Sequence, residues 1–297
     1  MTIAIAYALR EEPESVGFWL AADARLTLDR TLSVTDTFVK TIDLVDGVAM
    51  VIAGGTLPST AAAELIRPLV NGHNRTPGQE RVSFYDICRS FAYFARRIYL
   101  ESGSETESDA VLCGFYRDGS PGLAHFRLKA GVAHFYKPPR GGRCGVVIGD
   151  VTLRPLVELA ISRARARGNG FDGVMSLLYT IIKHGGKPYR SVGGGIAFGY
   201  CEGPDQPVQW PTVEIDDEIF LRGIHVNQFM QTSWKTPFKV ALNQDFATDI
   251  ERELDELNGA SPARLLDDRP RASWPIDGAR VEDLFKFTSD PFPLQVD

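Results

Sequence analysis

The chain has 297 residues, 44% of them hydrophobic and 24% charged, with a formal net charge of −6. That is the composition of a globular protein of one or two domains with chain enough for a large core. The acidic balance argues against a general nucleic-acid binder, which carries a basic stripe, and the absence of any run of about 18 apolar residues argues against a membrane span.

Residues 2–9 alternate large side chains (Ile3, Ile5, Tyr7, Leu9) with small ones (Ala4, Ala6, Ala8). A period of two predicts a strand, and the lack of a polar face predicts that both faces are covered. The run mimics a signal peptide, with Ala-Tyr-Ala as its cleavage site. No Lys or Arg precedes it and Arg-Glu-Glu-Pro-Glu follows, so a signal peptide is not expected. A charged turn with Pro13 and Gly17 leads to a second, antiparallel strand over 18–28. Residues 38–45 and 48–55, joined by Asp46-Gly47, predict a second hairpin.

Two helices come next. One spans 57–72, with Gly72 as its stop. The other spans 83–100, with Ser83 as N-cap and Asp86 near its start. Strands follow at 109–116, 123–129, 131–137 and 144–149. Helical periodicity returns at 152–168 and 171–186, and two last strands are expected at 193–201 and roughly 209–215. Antiparallel hairpins that bury both faces need helices outside two stacked sheets. The expected fold is therefore α+β, a four-layer α-β-β-α sandwich over residues 1–230. Residues 231–297 form a C-terminal extension, with a helical pattern at 247–259 and then a Pro-rich stretch. It packs on the core or a neighbouring subunit, or it is a partly disordered tail; both readings are open.

Few residues carry chemistry. Thr2 stands at the head of the first strand. A threonine hydroxyl is a weak nucleophile without a base beside it. A terminal α-amine, titrating at about 7.7–8.0, can be that base. This requires removal of Met1, which a small second residue permits. Asp23 and Arg25 lie two apart on a strand and face the same way. They are either a structural ion pair or a charge scaffold beside the first strand. Lys40 lies among apolar residues, as an ammonium near Thr2 or a lysine snorkelling at a sheet edge. Gly54 and Gly55 close an apolar strand, as a plain turn or as an oxyanion-binding backbone.

Other motifs are weaker. The Gly-Gly-Thr-Leu-Pro-Ser-Thr segment has no lysine in the phosphate-loop position, and the glycine run at 193–195 leads into a strand, not a helix. Cys88, Cys113, Cys144 and Cys201 make no Cys-x-x-Cys pair and read as free thiols of a cytoplasmic protein. The five histidines show no metal-ligand spacing, and His125 and His134 fall in one hairpin. No metal or other cofactor is expected.

Thr2 opening a strand, Ala-Ala-Asp-Ala-Arg ending the second, Val-Lys-Thr-Ile-Asp-Leu on the third and Ala-Gly-Gly closing the fourth resemble, in that order, the proteasome β-subunit family of N-terminal nucleophile hydrolases. The segments Ile148–Ala160 and Arg190–Tyr200 resemble the bacterial proteasome-like group that includes Anbu. The resemblance implies the same sandwich fold and a homo-oligomeric ring or spiral that hydrolyses peptide or protein substrates. It makes Thr2 the nucleophile, Lys40 and Asp23 the groups that tune it, Arg25 a buttress and Gly54 the oxyanion donor. Asp150 and Ser191 fall at supporting positions, and Ile52 at the pocket for the residue before the scissile bond. The family's Asp-x-x-Ser-Gly-Gly has no clear Asp here; Tyr189 and Arg190 precede Ser191 instead. The implied function is a threonine-type peptidase. The alternatives are a non-catalytic assembly or binding protein and an amidohydrolase acting on small amides.

Overall fold

The computed structural model describes residues 2–11, 15–28, 33–35, 38–150, 153–154, 157, 171–184, 192–226, 238–240 and 279–286. Strands β1 (Ile3–Glu11) and β2 (Ser15–Asp23) pair antiparallel. The short β3 (Leu26–Leu28) and β4 (Ser33–Thr35) pair with each other. The hairpin β5 (Thr41–Val45) and β6 (Val48–Gly54) precedes helices α1 (Leu57–Asn74) and α2 (Phe84–Glu101). Strands β7 (Ser108–Phe115), β8 (Pro121–Arg127), β9 (Val132–Lys137) and β10 (Gly142–Gly149) follow, then helix α3 (Phe171–His184) and β11 (Ile196–Cys201). A small sheet holds β12 (Thr212–Ile215), β13 (Glu218–Leu221), β14 (Ile224–His225) and β15 (Phe238–Lys239). The last strand, β16, is Ala279–Lys286.

Two larger sheets organise the molecule, one ordered β10-β1-β2-β11 and one ordered β16-β9-β8-β7-β6-β5. The large-small alternation of β1 acquires a physical meaning. Ala4, Ala6 and Ala8 pack against Ala49, Val51 and Ala53 of β6 and Val111 of β7, so small side chains lie between the two sheets. Ile3, Ile5 and Tyr7 point the other way, into a core shared with Val174, Met175 and Leu178 of α3 and with Val213 and Phe220 of the small sheet. Tyr7 stacks on its cross-strand partner Trp19 with ring centroids 4.5 Å apart. The opposite face of the six-stranded sheet packs Met50, Ile52, Leu112 and Phe126 against α1 and α2.

Ser83 caps α2 as its sequence predicts: its Oγ accepts the Asp86 N–H at 3.2 Å. Gly72 does not stop α1, which runs on to Asn74. No φ > 0 is adopted at Gly72, so it does not form the left-handed ending by which glycine terminates a helix. The second strand ends at Asp23 and not at Leu28, because the chain leaves the sheet after that residue. His125 and His134 face each other across β8 and β9, as a hairpin requires. Within the C-terminal extension, β15 runs parallel to β12 and β16 adds a strand at the free edge of β9. The helical pattern at 247–259 and most of the one at 152–168 lie outside the described residues. Among the described residues, no helix is long and apolar enough to cross a membrane.

All four cysteines are free and buried. Burial pushes the Cys144 thiol up to about 12 and lifts Cys88 and Cys113 well above the ordinary 9.0. The thiolate is the reactive form, so the folded protein at about pH 8 should resist a thiol-specific disulfide reagent over minutes. All four thiols should react once the chain is unfolded in guanidinium. Fast reaction of two or more native thiols would contradict the packing described.

Candidate active site

The site grows from the end of β2. Asp23 is 0% exposed, and its carboxylate collects donors from separate stretches of chain. Its Oδ1 accepts the Ile3 N–H at 3.0 Å and the Lys40 ammonium at 2.9 Å. Its Oδ2 accepts the Arg25 N–H and the Gly193 N–H, each at 3.2 Å. Burial pushes the carboxyl above its ordinary value, while the Lys40 charge and the surrounding donors oppose that push. A carboxylate in this position accepts every one of these bonds without donating, which suits the ionised form.

Lys40 is 1% exposed and ion-paired with Asp23, so it is not a snorkelling edge lysine. It stands one residue before β5, not within it. Its carbonyl accepts the Ile52 N–H at 3.0 Å, and the neighbouring Phe38 N–H donates to Ala24 O at 2.9 Å. The ammonium and the peptide that follows Thr2 thus meet at one oxygen atom, Asp23 Oδ1. Arg25 supports Asp23 through its backbone N–H, and its guanidinium reaches the Val192 carbonyl at 3.3 Å.

Thr2 is buried at 3% exposure. Its carbonyl accepts the Asp150 N–H at 2.7 Å. Asp150 is buried as well, and its Oδ1 accepts the Leu153 N–H at 3.4 Å, which caps the turn that follows. The start of the chain is therefore pinned from both sides, by Asp150 through Thr2 O and by Asp23 through Ile3 N.

Gly54 ends β6 with φ +76°, a backbone angle suited to glycine, and a Cβ there would fall 2.0 Å from the Glu107 carbonyl. Gly55 N–H donates to that same carbonyl at 2.8 Å, and Ser108 Oγ donates to Gly55 O at 2.6 Å. The backbone of Gly54 is exposed at the end of the sheet. A path of hydrogen bonds joins Ile3, Asp23, Lys40 and Ile52, two residues short of Gly54. Ile52 itself is wholly buried under α1 and α2 and opens no face to solvent. Ser191 lies outside the described residues. The Gly193 N–H is a contributor that motif reading passes over, because its glycine run suggests a nucleotide loop and supplies a backbone donor instead.

No protein-family profile matches the chain, and no curated protein matches it. Among solved structures, a mutant of Anbu from Hyphomicrobium sp. strain MC1 superposes with a TM-score of 0.51 at 15% sequence identity. That likeness covers 88% of this chain and 98% of the other. At that identity the likeness is one of fold, shared with Anbu at a long distance in sequence.

The Asp23–Lys40 pair yields a stability test. Lys40→Met leaves the Asp23 carboxylate buried without its counter-charge, which typically costs about 3–5 kcal/mol. Asp23 then titrates even higher in the folded state than in the unfolded state. Stability of this variant should fall as pH rises above the ordinary carboxyl value of 3.8. The double variant Asp23→Asn, Lys40→Met should recover part of the loss and most of the pH dependence. Urea denaturation across the acid range reads all three; a Lys40→Met variant as stable as wild type would contradict the buried pair.

Proposed function

We propose that the chain is a threonine-type peptidase whose nucleophile is Thr2, freed by removal of Met1. One observation carries the reading: Asp23 Oδ1 binds both the Lys40 ammonium and the N–H that follows Thr2. A buried cation is thereby held beside the pinned start of the chain. The Thr2 amine takes the hydroxyl proton, through a water where needed, and the alkoxide attacks the amide carbonyl. Lys40 stabilises the developing negative charge. The Gly54 N–H binds the oxyanion, a donor typically worth about 3–4 kcal/mol. The amine then returns the proton to the leaving amine, and water hydrolyses the ester on Thr2. Arg25 buttresses the Asp23 turn, and Asp150 steadies the chain start.

The three separate cores support a four-layer α-β-β-α arrangement, with the helices outside the two sheets. A homo-oligomeric ring or spiral acting on peptides in the cytoplasm completes the proposal, in keeping with the family resemblance and the free thiols. The burial of Thr2 favours a second reading, a non-catalytic subunit that keeps Met1 and so lacks the amine base.

Intact mass spectrometry separates the two readings by the mass of one methionine. In the peptidase, Thr2→Ala abolishes turnover of a fluorogenic peptide and leaves the circular dichroism unchanged. Full activity in that variant would overturn the assignment.

A further inference from the structure

We infer that Arg222, far from the proposed nucleophile in sequence, is a positioning residue for Lys40. The β13–β14 turn consists of Arg222 and Gly223, with φ of +50° and +86°. Positive φ at both central residues is the type I′ hairpin pattern, in which Asn, Asp or Gly is preferred at the first. An arginine in that place is an outlier, and such outliers persist where surrounding contacts over-determine them.

The contacts are specific. The guanidinium lies over the Trp210 ring, 4.2 Å from its centroid. Its Nη2 donates to the Thr41 carbonyl at 2.6 Å, across 181 residues of sequence, and to Asp43 Oδ1 at 3.1 Å. Thr41 follows Lys40 directly, and β5 is the edge strand of its sheet. The Thr41 carbonyl is an edge acceptor that the guanidinium satisfies. The glycine beside Arg222 lets the turn press on the scaffold: a Cβ at Gly223 would lie 2.6 Å from the Ala24 Cβ, between Asp23 and Arg25.

The turn therefore touches both halves of the ion pair's support, the Ala24 turn next to Asp23 and the backbone next to Lys40. Backbone bonds from Phe38 N–H to Ala24 O and from Ile52 N–H to Lys40 O tether the Lys40 segment, and Arg222 adds a bond to Thr41 O. Unlike those two backbone bonds, the one from Arg222 comes from a charged side chain, which makes it a stronger kind. The Asp43 contact is exposed and adds little. Arg222 touches neither Thr2 nor Asp23 in this arrangement; it acts through the backbone that presents Lys40. The importance of that for turnover rests on the peptidase reading, whereas the tether itself does not.

The test compares Arg222→Met, Arg222→Lys and Asp43→Asn with wild type. Lysine accessibility is read by trace acetylation with acetic anhydride, with Lys40 mapped by peptide mass spectrometry. Arg222→Met should acetylate Lys40 about tenfold faster, in line with loss of one charged hydrogen bond. Where wild type turns over peptides, kcat should fall about tenfold with KM little changed. Arg222→Lys keeps one charged donor and should restore part of both, while Asp43→Asn should behave as wild type. An unchanged Lys40 acetylation rate in Arg222→Met overturns the proposal, whatever happens to activity or melting temperature. Should Arg222→Met fail to fold, unchanged acetylation in Arg222→Lys overturns it equally. Faster acetylation in a protein that shows no turnover at all supports the tether and counts against the peptidase reading alone.

Discussion

Everything at the candidate site hangs on one buried carboxylate. An unpaired charge in the interior is untenable, so Asp23 demands partners, and they come from four places in the chain. Ile3 belongs to the first strand, Arg25 to the turn after β2, Lys40 to the approach to β5, and Gly193 to the approach to β11. Satisfying one side chain thus ties the start of the chain to both large sheets. The same bonds that stabilise the carboxylate fix the position of Lys40 relative to Thr2, so stability and site geometry are a single requirement.

The packing around that point explains how the site can sit at the end of the strands. Alanines on β1 allow the two sheets to stack through small side chains. The large residues of the same strand are committed to the α3 side. A strand anchored on both faces holds its first residue still, and Asp150 adds a hydrogen bond to Thr2 itself. At the end of β6, the positive φ of Gly54 turns the backbone outward while Glu107 and Ser108 hold the turn.

Local pattern carried much of this. The period of two in residues 2–9, the Asp46-Gly47 turn and the Ser83 cap are short-range features, and each matches the element found. Asp23, Lys40 and Gly54 were legible as residues out of keeping with their apolar surroundings. What was not legible depends on distant partners. The choice between an edge lysine and a buried one at Lys40 is made by a carboxylate 17 residues away. The Gly193 N–H lies 170 residues from Asp23, and the Arg222 guanidinium lies 181 from Thr41. Gly72 misled because a helix stop needs a left-handed backbone, which nothing at that position compels. The small sheet was legible only at β12, and of its two tight turns Arg222-Gly223 puts an arginine, seldom read as a turn former, at positive φ.

The most direct measurement is covalent labelling with an electrophile selective for N-terminal threonine, followed by mass-spectrometric mapping of the adduct. The account predicts a single adduct on Thr2, in chains that have lost Met1, and its loss when Lys40 is replaced by methionine. An adduct on another residue, or no adduct on chains that have lost Met1, would contradict it.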